Sequence, residues 1–255
     1  KNNYPVGYNL GQSGNTPSQN LVDAYEMIDG TPFDWNNPEH KSNPYANRDP
    51  RLAMSILTNN VEFKDRTIEA WTGGRDGKGV IHATRTGYYI YKFIDPNLDL
   101  LQNRTSVHHW VIMRYAEILL SYAEAMNEAY GPTGNVGYRL NAVRALNQVR
   151  NRVGVEMPAV PTAISKEELR EKIRNERRVE LAFEDHRFWD VRRWMIAPET
   201  LGTPLRGVEI TKISDEEFEY KPIEVEKRTF EPKMYLYPIP QADLNTTGWV
   251  QNPLW

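Results

Sequence analysis

The amino-acid sequence predicts a mainly α-helical fold, in which TPR-like helical hairpins are wrapped by long loops and a few short strands. Apolar residues at helical spacing are concentrated between residues 111 and 197, which we interpret as a helical core. Short connections join the predicted helices, as is typical of antiparallel helical pairs. Residues 1–110 are rich in Gly, Pro, Asn and Asp, and residues 198–255 return to loops and short extended pieces. We therefore predict one domain over residues 1–255, with a loop-rich ligand-side segment, a helical core and an irregular C-terminal wrap.

The composition restricts the classes of function. The 255 residues carry 31 Lys and Arg against 34 Asp and Glu, for a formal net charge of −3. A general nucleic-acid-binding protein would show a clear basic excess, so we expect no nucleic-acid partner. The sequence has no cysteine, which excludes disulfides and thiolate zinc sites. It has no apolar run long enough to span a bilayer and no signal-like segment at its KNNYP start.

Two helices are predicted in the first half of the core. In VIMRYAEILLSYAEAMNEAYGP the apolar residues recur at helical spacing, and Gly131-Pro132 ends the pattern. A second helix begins at Ala142, carries Val153 on its apolar face and ends at Gly154. The consensus spacing of TPR repeats is not visible, so the hairpin geometry rests on the connection lengths.

A third helical segment begins with a capping box of the S-x-x-E type, formed by Ser165 and Glu168. It continues into RNERRVELAFEDHRFWDVRRW, residues 174–194. We expect a break near Asp185-His186 and an end before Pro198, because proline cannot continue a helix.

Short regular pieces interrupt the loops outside the core. LVDAYEMI (21–28) predicts a two-turn helix, and RLAMSIL (51–57) is a short apolar element. GYYIYKFI (87–94) is rich in aromatic residues, which favours a strand. In the tail, EFEYKPIEVEKRTF and MYLYPIP predict extended pieces. Loops as long as the remaining ones are uncommon in compact domains and often carry function.

The buried face of the third helical segment changes from apolar to charged. At helical spacing it presents Arg177, Glu180, Glu184 and Arg187, with Asp190 beyond them. A lone buried ion is costly, so we interpret these five residues as a structural ion-pair lattice that neutralises itself. The alternative is a catalytic pair of Glu180 and Glu184, as in a glycosidase. Flanking arginines lower the pKa of both carboxylates, whereas a general acid needs one of them raised.

The same stretch resembles the hallmark helix of the SusD/RagB family, whose pattern is approximately ER-x-x-EL-x-x-E-x-x-R-x-x-DL-x-RW. Further segments agree with that family in order: LVDAYEMIDG, DPRLAMSIL, TGYYIYKF, RYAEILLSYAEAMNEA and YLYPIPQADLN followed by QNPLW. Together these segments span nearly the whole chain. The family usually closes on QNPGY or a similar motif, so Leu254-Trp255 departs from its pattern.

The resemblance implies a non-catalytic lipoprotein on the extracellular face of the outer membrane, lipid-anchored through an N-terminal segment outside this sequence. Such proteins capture oligosaccharide and deliver it to a TonB-dependent outer-membrane transporter of the SusC type. Because family members are usually about twice this length, the resemblance implies a C-terminal portion.

Two other classes of function stay open at this level. A glycoside hydrolase would use loop carboxylates such as Asp34, Glu39 or Asp76. A subunit of the same transporter that captures non-glycan cargo such as peptides, or serves only assembly, would need no affinity for sugar. Sugar binding without turnover would distinguish oligosaccharide capture from both of these alternatives.

Five loop residues are predicted to bind ligand. Sugars present apolar ring faces and a rim of hydroxyl groups, which exposed aromatic and planar polar side chains recognise. Trp35 lies in the Pro- and Asn-rich loop TPFDWNNP, and Trp71 precedes the turn that carries Arg75 and Asp76. Tyr8 lies in a Gly- and Asn-rich stretch. The alternative is that these aromatic side chains only pin long loops to the core.

The other tryptophans are expected in structural positions. Trp110, Trp189 and Trp194 lie on or beside predicted helices, which favours burial in the core. Trp249 and Trp255 flank the end of the tail and are predicted to anchor it.

No cofactor or metal site is predicted. The adjacent pair His108-His109 cannot easily place both rings on one metal ion. Asp95 or Asp99 would suit a structural Ca²⁺, but no ligand spacing specifies one. The turn GGRDGKG lacks the glycine and Ser/Thr positions of a phosphate-binding Walker A loop.

Overall fold

The structure, a computed structural model, describes residues 2–107 and 109–255. His108, half of the histidine pair considered above, lies outside the described residues. The helices of the described part are α1 (Gln19–Val22), α2 (Pro38–Ser42), α3 (Arg51–Ser55), α4 (Tyr115–Tyr130), α5 (Ala142–Arg150), α6 (Lys166–Glu180), α7 (His186–Arg193), α8 (Ala197–Thr200) and α9 (Gln241–Thr247). Its strands are β1 (Ile56–Leu57), β2 (Glu62–Phe63), β3 (Arg66–Thr67), β4 (Tyr89–Ile90), β5 (Leu205–Lys212) and β6 (Phe218–Glu226). None of the helices in the described part is long and apolar enough to cross a bilayer.

Helix α4 packs against both α5 and α6, and these three helices form the predicted helical core. Their apolar faces meet in a cluster of fully buried side chains: Leu120, Ala123, Ala142, Ala145, Leu146, Leu169 and Ile173. Full burial of a large aliphatic side chain contributes about 1.5–3 kcal/mol. The predicted capping box is present, since Ser165 Oγ accepts from the Glu168 N–H at 3.1 Å and Glu168 Oε2 accepts from the Ser165 N–H at 3.0 Å.

Two helix ends differ from the prediction. The first helix begins only at Tyr115, so Ile112 and Met113 precede it and are 83% and 65% exposed. The second helix ends at Arg150, and Val153 is 93% exposed instead of lying on the buried face. The apolar spacing continues past the last helical turn, but the helix itself ends at Arg150, so Val153 does not lie on its apolar face.

The break predicted in the third segment is confirmed. Helix α6 ends at Glu180, and α7 begins at His186. Asp185 between them has φ of 63°, in the left-handed region that Asp tolerates better than most residues. The charged stretch of residues 174–194 is therefore divided between α6 and α7, whose axes need not be aligned.

Residues 2–107 enclose a second apolar cluster despite little regular structure. Its largest fully buried members in this segment are four tyrosines and two isoleucines: Tyr4, Tyr25, Tyr88, Tyr89, Ile56 and Ile68. GYYIYKFI forms a strand only at Tyr89–Ile90, which pairs with β1. LVDAYEMI is not a two-turn helix, because α1 ends at Val22. The carbonyl oxygens of Val22 and Tyr25 accept hydrogen bonds from Arg48 at 2.6 and 2.7 Å.

The predicted C-terminal wrap contains an antiparallel hairpin of β5 and β6. The hairpin packs on the loop-rich segment, where the Val208 N–H donates to the carbonyl of Thr86 at 2.9 Å. Gly87 has φ of 85°, and a Cβ there would lie 2.7 Å from the carbonyl oxygen of Val208. This contact therefore requires glycine.

Candidate functional site

The carboxylate of Glu180 is buried among three arginines from distant parts of the chain. Its Oε2 lies 2.9 Å from Arg51 Nη1 and 2.6 Å from Arg152 Nη1, and its Oε1 lies 2.6 Å from Arg114 Nη1. The Glu180 side chain is 1% exposed. Burial raises the pKa of Glu180, but the hydrogen bonds from Arg114 and Arg152 outweigh burial and lower the pKa to about 2.

Glu184 lies next to this site and is neutralised in the same way. Its carboxylate oxygens lie 2.7 Å from Arg114 Nε and 2.5 Å from Lys92 Nζ. Burial raises the pKa of Glu184, but the hydrogen bonds from Arg114 and Lys92 outweigh it and hold the pKa below its ordinary value. Neither carboxylate has the raised pKa that a general acid needs.

A third buried carboxylate, which lies on α6 and which the sequence analysis missed, extends the arrangement. Glu176 lies 2.5 Å from Arg51 and 2.8 Å from Arg150, and Arg150 also lies 2.9 Å from Glu26. A signal was present, because Glu176 lies one helical turn before Glu180 on the same face. We call Glu26, Arg51, Lys92, Arg114, Arg150, Arg152, Glu176, Glu180 and Glu184 the ion-pair network.

Of the five residues predicted to neutralise one another, Arg177 and Asp190 form an ion pair, and the other predicted partners are wrong. Arg177 does not bind Glu180 or Glu184, and its Nε lies 2.9 Å from Oδ2 of Asp190. Arg187 forms no side-chain hydrogen bond or ion pair with any described residue, and it lines a cavity. Helical spacing places charges on one face, but it does not determine which distant segment meets that face.

A groove on the loop-rich segment brings together two of the predicted ligand residues, Tyr8 and Arg75. Its volume is about 600 Å³. Most of its other side chains are polar: Asn9, Lys64, Asp65, Arg66, Asn97 and Asp99. We call this the Tyr8 groove.

Asp76 supports the Tyr8 groove from beneath. Its side chain is fully buried, and its carboxylate forms hydrogen bonds of 2.6 and 3.0 Å with Arg66. It also accepts from the backbone N–H groups of Gly7 at 3.1 Å and Glu69 at 2.9 Å. A buried carboxylate with four donors has no free surface for a ligand. The prediction that Asp76 contacts ligand is therefore corrected to a supporting role.

Arg66 also fixes Tyr8. The Arg66 Cζ lies 3.9 Å from the centroid of the Tyr8 ring, a cation–π geometry. The Tyr8 hydroxyl donates to the carbonyl of Phe63 at 2.6 Å. Burial raises the pKa of Tyr8 to about 12, so the hydroxyl stays protonated at neutral pH. The groove therefore presents a half-buried aromatic ring held in one orientation.

Arg75 is the more exposed of the two groove residues. Its side chain is 59% exposed, and its Nη2 lies 2.6 Å from Oε1 of Glu69. Arg75 has a planar fork of N–H donors, and the Glu69 carboxylate holds one edge of it. This arrangement leaves other donors available to hydroxyl groups in the groove.

Trp35 and Trp71 lie elsewhere and do not belong to the described residues that line the Tyr8 groove. Trp35 is half-buried, and its Nε1 donates to Oδ1 of Asp23 at 3.0 Å. Trp71 is half-buried too, with its ring centroid 5.3 Å from that of Phe218 and 5.0 Å from Lys212 Nζ. Both indoles pack at the edge of the loop-segment cluster.

Among the described residues, no group of three or more His, Cys, Asp or Glu is arranged to hold a metal ion. The two carboxylates considered for Ca²⁺ bind local backbone instead. Asp95 Oδ1 accepts from the Asn97 N–H at 2.9 Å, and Asp99 Oδ1 accepts from the Leu101 N–H at 3.0 Å.

Comparison with known proteins assigns a family to this arrangement. The model of the SusD family matches residues 1–255, the whole chain. The chain belongs to the SusD family. Two curated SusD-like relatives from Formosa agariphila, P2 and P38, are 34% and 35% identical over 120 and 104 residues. These matches cover 45% and 38% of this chain and 22% and 19% of the relatives.

Solved SusD-like structures show the same fold. A SusD-like protein of Bacteroides fragilis superposes with a TM-score of 0.77 and 32% identity, over 96% of this chain and 48% of that protein. A SusD-like carbohydrate binding protein of the same species gives a TM-score of 0.72 and 31% identity, over 92% and 48%. The chain thus has a SusD-like, mainly helical fold and spans about half the length of these relatives.

In this SusD-family chain, two of the tryptophans expected in the core are exposed. Trp110 is 77% exposed and Trp189 is 64% exposed, so burial was wrongly predicted for both. Trp194 is half-buried and donates its Nε1–H to Glu124 at 2.7 Å. Of the tail pair, Trp255 donates to the carbonyl of Lys233 at 3.0 Å, as a tail anchor should. Trp249 is 62% exposed.

Proposed function

We propose that this chain is part of a non-catalytic oligosaccharide-binding protein, which captures glycan at the cell surface. The observation that carries the proposal is the match of residues 1–255 to the SusD family. The solved relative described as a SusD-like carbohydrate binding protein, 31% identical, supports the same class of ligand.

The Tyr8 groove is the proposed glycan site. A sugar needs an aromatic surface for its C–H face and planar hydrogen-bonding groups for its hydroxyls. The groove supplies the fixed ring of Tyr8, the Arg75 guanidinium and the side chains of Asn9 and Asn97. Ligand pockets in proteins are commonly about 300–1,000 Å³, a range that includes the groove's 600 Å³. Asp76 does not contact the sugar in this proposal; it holds Arg66, and Arg66 holds the Tyr8 ring.

Trp35 and Trp71 stay predictions as ligand contacts outside the groove. The indole N–H of Trp35 is already bound to Asp23, so only its ring face is available for stacking. Trp71 keeps its place on the loop before Arg75 and is the better candidate to extend a bound oligosaccharide beyond the groove.

The absence of catalysis is proposed from the state of the carboxylates. Glycoside hydrolysis needs a pair of carboxyl groups that reach the scissile bond, one of them with a raised pKa. Glu180 and Glu184 have lowered pKa values and lie inside the ion-pair network. Asp76, a candidate for the hydrolase alternative, is buried and bound to Arg66. A binding protein needs none of these groups to change protonation state.

Delivery to a TonB-dependent outer-membrane transporter of the SusC type is proposed from family membership. The same holds for a lipid-anchored position on the extracellular face of the outer membrane. No nucleic-acid partner and no cofactor are proposed, in line with the net charge of −3.

The test is calorimetric titration of the purified protein with a panel of neutral and acidic oligosaccharides, followed by a reducing-end assay on the same mixtures. The proposal expects saturable binding of at least one oligosaccharide and a flat reducing-end signal. Turnover would select the hydrolase alternative, and the absence of binding to every member of the panel would reject the glycan site.

A further inference from the structure

A cavity beside the hallmark stretch is lined by four arginines and by one aromatic residue, Phe183. It has a volume of about 850 Å³ and lies between α6, α7, the segment 18–24 and the start of the tail hairpin. Four of its lining residues are arginines: Arg178, Arg187, Arg206 and Arg228. We call it the arginine cavity. It is separate from the Tyr8 groove, with which it shares no lining residue among those described.

Arg187 is a half-buried cation that has no hydrogen-bond or ion-pair partner among the described residues. Its side chain forms no hydrogen bond, ion pair or ring contact with a described residue. The nitrogen atoms of Arg187 are unpaired but not fully buried, so they remain accessible where the side chain lines the cavity. Burial lowers the pKa of Arg187, and the nearby Asp190 only partly offsets that effect.

Arg178 faces the same space and has no carboxylate partner among the described residues. One of its N–H groups donates to the carbonyl of Asn20. Burial, together with the charge of Arg187, lowers the pKa of Arg178 to about 10. Two guanidinium groups that repel each other in a partly desolvated site are unfavourable until an anion lies between them.

The acidic residues of the cavity do not supply an anion between Arg178 and Arg187. Asp23 is already occupied, since its carboxylate accepts from Trp35 at 3.0 Å and pairs with Arg206 at 3.0 Å. Glu199 and Glu224 are exposed, and neither forms an ion pair with another described residue. The charge of the two inner arginines is therefore only partly compensated by the described part of the chain.

We propose that Arg178 and Arg187 form a binding site for an oxyanion, a carboxylate or sulfate group. The planar fork of a guanidinium matches two oxygen atoms of such a group, and two forks accept one oxyanion from two sides. The anion has two sources, a free inorganic ion or an acidic substituent on a bound glycan. The site does not depend on the Tyr8 groove.

The test titrates the whole chain with sodium sulfate and, separately, sodium acetate at constant ionic strength held with sodium chloride. Calorimetry follows affinity, and the Nε–H signals of the arginines in nitrogen-15 spectra report which side chains respond. The proposal expects saturable binding in which the signals of Arg178 and Arg187 shift together. Arg187→Gln is expected to weaken binding at least tenfold and to leave the thermal midpoint unchanged or raised, because Arg187 has no partner to lose.

Arg228→Gln is the matched control, because Arg228 lies on the rim of the same cavity, is exposed and pairs with Glu226 at 3.1 Å. It should change affinity less than twofold. Equal losses in the two variants, or no saturable binding of sulfate or acetate, would overturn the site. A galacturonate oligomer compared with a neutral oligomer of equal length then identifies the source. Binding of the acidic oligomer that is lost in Arg187→Gln supports a glycan-borne anion, and binding of the inorganic ions alone supports a free one.

Discussion

Arg51 and Glu180 form a buried ion pair of 2.9 Å between Nη1 and Oε2, although they are 129 residues apart in the chain. The pair joins the loop-rich segment to the hallmark helix. Arg51 also contacts Asp49 at 2.6 Å and Glu176 at 2.5 Å, so one guanidinium binds three carboxylates. The hallmark charges therefore connect the two apolar clusters of the protein.

Replacing Arg51 by alanine is expected to destabilise the protein strongly. The change leaves buried carboxylates without a counter-charge, which typically costs about 3–5 kcal/mol. Urea unfolding followed by circular dichroism measures the effect. Arg144→Ala, on the exposed face of α5, is the control and should cost less than about 0.5 kcal/mol. Similar losses in both variants would show that the ion-pair network has no special structural role.

The network also predicts how stability depends on pH. The folded pKa of Glu180, about 2, lies below its ordinary value of 4.5. Its contribution is therefore fully present above about pH 5.5 and is lost as pH falls toward 2, in total about 3 kcal/mol. Unfolding free energies from pH 2 to pH 7 measure this loss. Glu180→Gln should flatten the curve below pH 5, and an unchanged slope in that variant would contradict the assignment.

Asp76→Asn is expected to loosen the Tyr8 groove. The variant keeps the size of the side chain but leaves the Arg66 guanidinium without its buried counter-charge, a loss of about 3 kcal/mol. Because Arg66 lies on the Tyr8 ring, oligosaccharide affinity should fall as well, although Asp76 itself is buried. Unfolding and calorimetry on the same preparation check both effects. Full affinity in a destabilised variant would show that the groove does not bind the glycan.

The capping box of α6 gives a local prediction. Ser165→Ala removes the acceptor for the Glu168 N–H and is expected to cost about 1 kcal/mol. Ser165→Asp keeps an acceptor at the same position and should retain most of the stability. Thermal unfolding of the two variants distinguishes a capping effect from a general loss at this position.

The sequence predicts the helical core well because its signals are local. The apolar stripes around Leu120, Leu146 and Ile173 each lie within a single helix, and so does the capping box. The partners of the hallmark charges could not be predicted, because Arg51 and Arg114 come from segments 129 and 66 residues away from Glu180. Tertiary position decides those pairs.

In the candidate site, too, the sequence predicts local features but not tertiary burial. The loop composition identified Tyr8 and Arg75, which lie in one groove, but it could not show that Asp76 beside them is buried. Burial of Trp110 and Trp189 was wrongly predicted from their closeness to helices, because adjacency to a helix does not determine which face meets the core.

The most direct test of the account is oligosaccharide binding by groove variants, measured by calorimetry with a ligand that the unaltered protein binds. Tyr8→Leu and Arg75→Ala are each expected to weaken binding at least tenfold, because they remove the stacking ring and the exposed donor fork. Trp249→Ala, which removes an exposed indole from the tail, is the matched control and should bind normally. Unchanged affinity in both groove variants, with folding intact, would contradict the assignment of the glycan site.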